Sequence, residues 1–282
     1  MADRSDPLPP LLGSDEPDAV EIVNGDSDAL FLFVCDHASS RLPRALGTLG
    51  LAPAEIASHI GWDIGAAELA RRLAATFAAP LVLTGYSRLV LDCNRPLASE
   101  GSIPRVSAGI GIAGNAALSA AEQLQRQATL FHPYHRAIAA VLDRRRERNL
   151  PTALLAIHSF TPDYPGESRP WHVDFAYHRD RRLAGLLIDA FDVPGILVGD
   201  NLPYAVEDDS DYTIPVHGEN RGLPHVLVEI RQDTLADAAG IDLWAARFAA
   251  LLARLMPDIA AQAGSSTAAQ VQAPHVTDLR TA

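Results

Sequence analysis

Short, wholly apolar runs alternate along the chain with segments of helical period, and most of the apolar runs end in polar residues. Residues 29–35, ALFLFVC, read as a buried strand that opens into Asp36-His37-Ala38-Ser39-Ser40. In DIGAAELARRLAATFAA, Leu69, Leu73 and Phe77 recur every fourth position, the stripe of an amphipathic helix. Beyond Pro80, LVLTGYSRLVLDCNRP reads as one or two strands around Gly85. A capping box, Ser119 to Glu122, opens a helical segment of about 30 residues, which Pro133 is expected to kink or interrupt. TALLAIHSFTP (152–162) is a second buried strand that breaks into a polar loop. RRLAGLLIDAF reads as a helix, GILVGD and PHVLVEIRQD (224–233) as strands, and GIDLWAARFAALLARLM as a closing helix with Trp244, Phe248 and Leu251/Leu252 on one face.

Strands alternating with helices predict the α/β class, as a single three-layer α/β/α domain with a mixed sheet between its helices. No internal repeat and no long linker interrupts it. The domain is expected over residues 19–262, with flexible polar tails at 1–18 and 263–282.

Charge and composition narrow the partners. The 282 residues carry a formal net charge of −12, the wrong sign for a nucleic-acid binder. An acidic surface repels anions, so an anionic substrate needs a local basic pocket. The N-terminus has no apolar signal-peptide core, and no apolar run reaches the roughly 20 residues of a membrane helix, so a cytoplasmic protein with no membrane partner is expected. Cys35 and Cys93, each following an apolar run, are expected as buried free thiols rather than a disulfide.

Ligands of open α/β sheets bind beyond the carboxyl ends of the strands. His37, Asn94-Arg95 and His158 are expected at such ends, with Glu229 inside the last strand on the face opposite Val226, Val228 and Ile230. Two histidines on neighbouring strand ends plus one carboxylate make the open three-ligand set of a catalytic zinc ion. Asp63, expected as the N-cap of the helix that follows, is the carboxylate candidate, with His59 four residues before it as a fallback ligand. His132 and His135, in HPYH, share a helix face but have no carboxylate at suitable spacing, so packing or capping accounts for them better. Glu229 suits a general base beside an activated water, and equally an internal ion pair with Arg231 two residues on. Arg95, Asn94 and Arg88 offer the planar forks and the amide that grip a carboxylate. No GxSxG elbow or phosphate loop appears, and no GxGxxG follows an apolar strand. Gly109-Ile-Gly-Ile-Ala-Gly lacks a preceding strand and reads as a loop, and residues 99–116 as a candidate lid.

In order, FVCDHASSRLP, WDIGAAELARRL, YSRLVLDCNRP, PYHRAI, IHSFTP and LVEIRQD resemble the N-formylglutamate amidohydrolases, over about residues 30–250. These look like distant relatives of zinc carboxypeptidases and aspartoacylases, with a phosphorylase/hydrolase-like fold. The resemblance implies His37 and His158 as metal ligands with Asp63 as the acidic one, although the wider group's His-x-x-Glu pair would fall on Ser40 here. It implies Asn94-Arg95 as the carboxylate clamp and Glu229 as the general base. The implied activity is zinc-dependent release of formate from N-formyl-L-glutamate or a close N-acyl acidic amino acid. The alternatives are a metallo-amidase or peptidase acting on another N-acyl amino acid or a cell-wall peptide, and a non-catalytic ligand-binding relative.

Overall fold

The computed structural model describes residues 8–164 and 166–265. Seven strands form one mixed sheet: β1 (Val20–Val23), β2 (Phe31–Cys35), β3 (Leu81–Thr84), β4 (Ala153–Phe160), β5 (Val173–Ala176), β6 (Val198–Asp200) and β7 (His225–Arg231). Their order is β1-β3-β2-β4-β7-β5-β6. The four central strands β3, β2, β4 and β7 run parallel, while β1 pairs antiparallel with β3 and β5 antiparallel with β7. Every side chain of β2 and β4 is buried, because a central parallel strand is covered on both faces.

The two-residue alternation of strands sorts these side chains into two cores. Phe31, Phe33, Leu155 and Val228 pack on one face against helices α1 (Ala66–Thr76), α4 (Arg182–Ala190) and α5 (Ala238–Ser265). Leu32, Val34, Leu154 and Leu227 pack on the other, against α3 (His132–Glu147). A short helix, α2 (Ala120–Arg126), leads to α3 through a wide π-type turn, Gln127–Phe131, so the interruption expected at Pro133 falls just before it. His158 and Glu229 continue the second face's alternation two residues beyond Ala156 and Leu227, where the apolar cover stops. No helix among the described residues is long and apolar enough to cross a membrane.

Several expectations need correction. Residues 86–92 form no strand. After β3 the chain turns, with Ser87 Oγ donating to the Gly61 carbonyl and accepting from Leu89 N–H, so Leu89, Val90 and Leu91 fill the second core from a compact turn. From residue 8 on, the segment expected as a flexible tail lies against the domain: Leu11 is buried and Tyr86 donates to the Pro17 carbonyl. Residues 1–7 and 266–282 lie outside the described residues. Residues 99–116 hold a two-residue hairpin, Val106–Ser107 with Ile110–Gly111. Residues 99–106 belong to the wall of a cavity of about 510 Å³ distinct from the one that holds His37 and His158. Cys35 and Cys93 are buried free thiols.

Gly65 is the N-cap of α1 and directs the preceding turn toward the sheet. Its φ is +79°, and a Cβ there would stand 2.5 Å from Leu235 Cβ and 2.7 Å from the Leu235 carbonyl oxygen. Gly65→Ala therefore combines left-handed strain with overpacking, and we predict a loss of about 2–4 kcal/mol in chemical denaturation. An unchanged midpoint would show that the turn relaxes freely.

Asp174 lies on the second face of β5, in register with Glu229. Burial pushes its carboxyl up to about 7, with one oxygen accepting from Leu202 N–H and the other without a partner. The native state thus keeps a proton that the unfolded chain releases near 3.8, so this contribution is full below about pH 4 and lost as pH rises toward 7. Asp174→Asn should gain stability relative to the parent across that window and hold the gain above it. Urea melts at a series of pH values check this, and parallel curves would refute it.

Candidate active site

The rim of the sheet gathers three carboxylates and two histidines from separate stretches of chain. His37 follows β2, Asp63 sits in the turn before α1, and His158 lies near the end of β4. All three are buried, and a donor atom from each lies within 4.8 Å of the others. The Nδ1 atoms of both rings face one oxygen of Asp63, at 3.3 Å from His37 and 2.8 Å from His158. Each Nε2 is held from behind by another carboxylate: His37 by Asp92 at 2.7 Å, His158 by Asp36 at 2.9 Å. Thr213 Oγ1 donates to the second Asp36 oxygen at 2.6 Å, and Asn94 N–H donates to Asp92 at 2.9 Å.

Asp63 is not the helix N-cap. Gly65 takes that place, and the Asp63 carboxylate turns inward instead, accepting from Ser159 N–H at 3.3 Å while its own N–H donates to the His37 carbonyl at 3.0 Å. Ser40 lies outside the lining of the site cavity, and Asp63 supplies the carboxylate at this corner.

The cluster's electrostatics call for a cation. Burial opposes ionisation of Asp63 and Asp92, yet His37 and His158 hold the Asp63 carboxyl, and Arg88 and His37 the Asp92 carboxyl, below the usual range. Burial likewise opposes a charged His158, but Asp36 and Asp63 hold its pKa well above the ordinary value. With neutral histidines, the three carboxylates face Arg88 and, at 4.0 Å from Asp92, Arg95, so negative charge still exceeds positive. Imidazoles anchored at Nε2 with Nδ1 turned to a shared carboxylate are the arrangement that carboxylate-backed histidines give a metal. The His37–Asp63–His158 cluster can hold a divalent metal ion.

Glu229 pairs in register with His158 and lines the same cavity. Burial, reinforced by the nearby Asp63 and Asp174 charges and opposed by His158 and Arg88, pushes its carboxyl up to about 8. One of its oxygens is buried without a partner. The ion pair with Arg231 does not form, because the Arg231 guanidinium pairs with Asp233, with Nε donating at 2.8 Å.

The cavity, about 190 Å³, is also lined by His59, Arg88, Asn94, Arg95, Tyr164 and Tyr204. Arg88 reaches the cluster itself: its guanidinium lies 3.2 Å from His37 Nδ1, 3.6 Å from Asp63 and 2.6 Å from Asp92. This places it deeper than a position across a strand would suggest, because the turn at 86–92 folds it back. Arg95 donates to the Ser210 carbonyl and to Asp211. The Asn94 amide donates to Asp211 and accepts from Tyr212 and Thr213 N–H. His59 lines the wall and has no contact with the cluster oxygens among its described bonds, while His135 packs against His217, Nδ1 to Nε2 at 3.0 Å, as a helix-packing residue.

Sequence reasoning missed Thr213 and the wall built by Arg169, which stacks over the Tyr164 and Tyr204 rings at 4.3 and 4.9 Å and donates to Tyr204 Oη. Thr213 caps a single helical turn, Ile214–Gly218, and Arg169 and Tyr204 stand in irregular segments, so hydrophobic period marks none of them. Asp36 and Asp92 did carry a signal: each is adjacent in sequence, or nearly so, to a candidate site residue.

Comparison with known proteins places this geometry. Residues 29–236 match the family N-formylglutamate amidohydrolase. The crystal structure of a gene product of Agrobacterium tumefaciens is 34% identical at a TM-score of 0.85, covering 88% of this chain and 99% of that one. The N-formylglutamate amidohydrolase of Ralstonia eutropha JMP134 is 16% identical at a TM-score of 0.64, covering 86% and 98%, and shares the fold. No curated protein matches the chain. A match over most of the described residues shows the family: the chain belongs to the N-formylglutamate amidohydrolases.

Proposed function

We propose that the protein is a zinc-dependent amidohydrolase that releases formate from N-formyl-L-glutamate. The observation that carries this reading is the buried His37–Asp63–His158 cluster with Glu229 beside it in one cavity of a chain of this family. When bound, zinc supplies Lewis acidity to the scissile carbonyl and eases deprotonation of water.

The chain's own residues divide the remaining work. His37 and His158 offer Nδ1, and Asp63 its carboxylate, while Asp92 and Asp36 fix both rings. Glu229 takes a proton from the attacking water and returns it to the departing amine nitrogen. Its raised carboxyl pKa suits the return step, and a cation at the adjacent cluster favours its ionised form for the first. Arg88, held by Asp92 beside the cluster, stabilises the charge that develops on the carbonyl oxygen. Arg95, with Asn94, serves the substrate carboxylate and so fixes the formyl group at the cluster by proximity.

Formate release from N-formyl-L-glutamate by the zinc-loaded protein tests the reading. Glu229→Gln should lower kcat by about 10²–10⁴-fold, and full activity in that variant would remove Glu229 from the reaction. Asp92→Asn should weaken zinc binding by about 10–100-fold, read by calorimetry. Unaltered affinity would mean that the Asp92–His37 bond does not orient a metal ligand.

A further inference from the structure

The Asn94 and Arg95 side chains line the cavity, and their donors already hold a carboxylate. Asp211 Oδ1 accepts from Asn94 Nδ2 at 3.0 Å and from Arg95 Nη1 at 3.4 Å. The amide and the guanidinium, whose Nη1 also donates to the Ser210 carbonyl, thus converge on one carboxylate oxygen, as they can on the carboxylate of a ligand. Asp211 closes the segment Glu207-Asp208-Asp209-Ser210-Asp211, in which every residue but one is acidic. Glu207, Asp208 and Asp209 are exposed, while Val206 and Thr213 at either end are buried. The turn is tied within itself: Asp211 N–H donates to the Glu207 carbonyl at 2.9 Å, and Asp211 Oδ2 accepts from Ser210 Oγ at 2.9 Å and Glu207 N–H at 3.2 Å.

We propose that Asp211 is an internal carboxylate seated on the substrate's carboxylate clamp, so that an acidic ligand binds by exchanging with it. This rests on the reading of Asn94 and Arg95 as that clamp. The buried anchors at Val206 and Thr213 leave the exposed turn between them to carry Asp211 in and out. A tethered carboxylate competes at the high effective concentration of an intramolecular group. A dilute monocarboxylate therefore loses to Asp211. A ligand that also engages other donors of the cavity displaces it, at an affinity reduced by the fraction of protein whose clamp is open. Asp211 is thus a specificity-determining residue, and its exposed neighbours Glu207 and Asp209 add repulsion against anions with no second point of attachment, while Asp208 pairs with Arg179.

Calorimetric titration of the zinc-loaded, full-length protein with glutarate tests this without hydrolysis. Asp211→Ala and the near-isosteric Asp211→Asn should each bind glutarate about tenfold more tightly than the parent, with KM for N-formyl-L-glutamate falling by more than kcat changes. Asp209→Asn makes the same charge change at an exposed position and should alter glutarate binding by less than about twofold. Weakened or unchanged binding in the Asp211 variants overturns the proposal and makes Asp211 a support for Arg95. Absence of glutarate binding in every form overturns it as well, because the clamp then takes no ligand carboxylate. Tighter glutarate binding without formate release would sink the proposed reaction while leaving this inference standing.

Discussion

Burying the Asp63 carboxylate costs several kcal/mol of lost hydration unless positive charge and donors replace the water. The rim is built around that constraint. Two imidazoles face one Asp63 oxygen, a backbone N–H donates to it, and Arg88 stands beside the other. Each imidazole is in turn backed by a further carboxylate, which transfers the burden of compensation outward to Thr213, Asn94 and Arg88. The result is a centre whose negative charge exceeds its fixed positive charge, and a divalent cation relieves this directly.

The fold supplies the convergence. β2 and β4 are neighbouring parallel strands, so the side chains at their carboxyl ends meet at one edge. β7 adjoins β4 in register, which sets Glu229 level with His158. The turn at 86–92, held by Ser87, then brings Arg88 and Asp92 up against His37. Four separate segments thus reach one cavity, one of them from the irregular stretch 85–105.

The apolar runs at 29–35 and 152–162 announced β2 and β4, and with them the placement of His37 and His158. Hydrophobic period could not reveal β1, whose Glu21 and Ile22 are exposed at the sheet edge, nor β5, whose run is broken by Asp174. It also misread 86–92, because Leu89–Leu91 are as apolar as a strand and are buried as a turn. Residue chemistry alone marked the arginines as groups that grip a carboxylate, and each does pair with an aspartate of the chain. Asp92, four residues from Arg88, was within reach of a local reading, but Asp211 was not, since it reaches Arg95 only through the loop at 207–211. Long-range pairing of this kind leaves no mark at short sequence spacing.

Anomalous scattering at the zinc edge, from crystals of the zinc-loaded protein, tests the central claim most directly. The account predicts one site at the cluster, with His37 Nδ1, His158 Nδ1 and an Asp63 oxygen each at about 2.0–2.2 Å and both Nε2 atoms still on Asp92 and Asp36. A zinc ion bound elsewhere, or ligation through Nε2 with those carboxylates displaced, would contradict it.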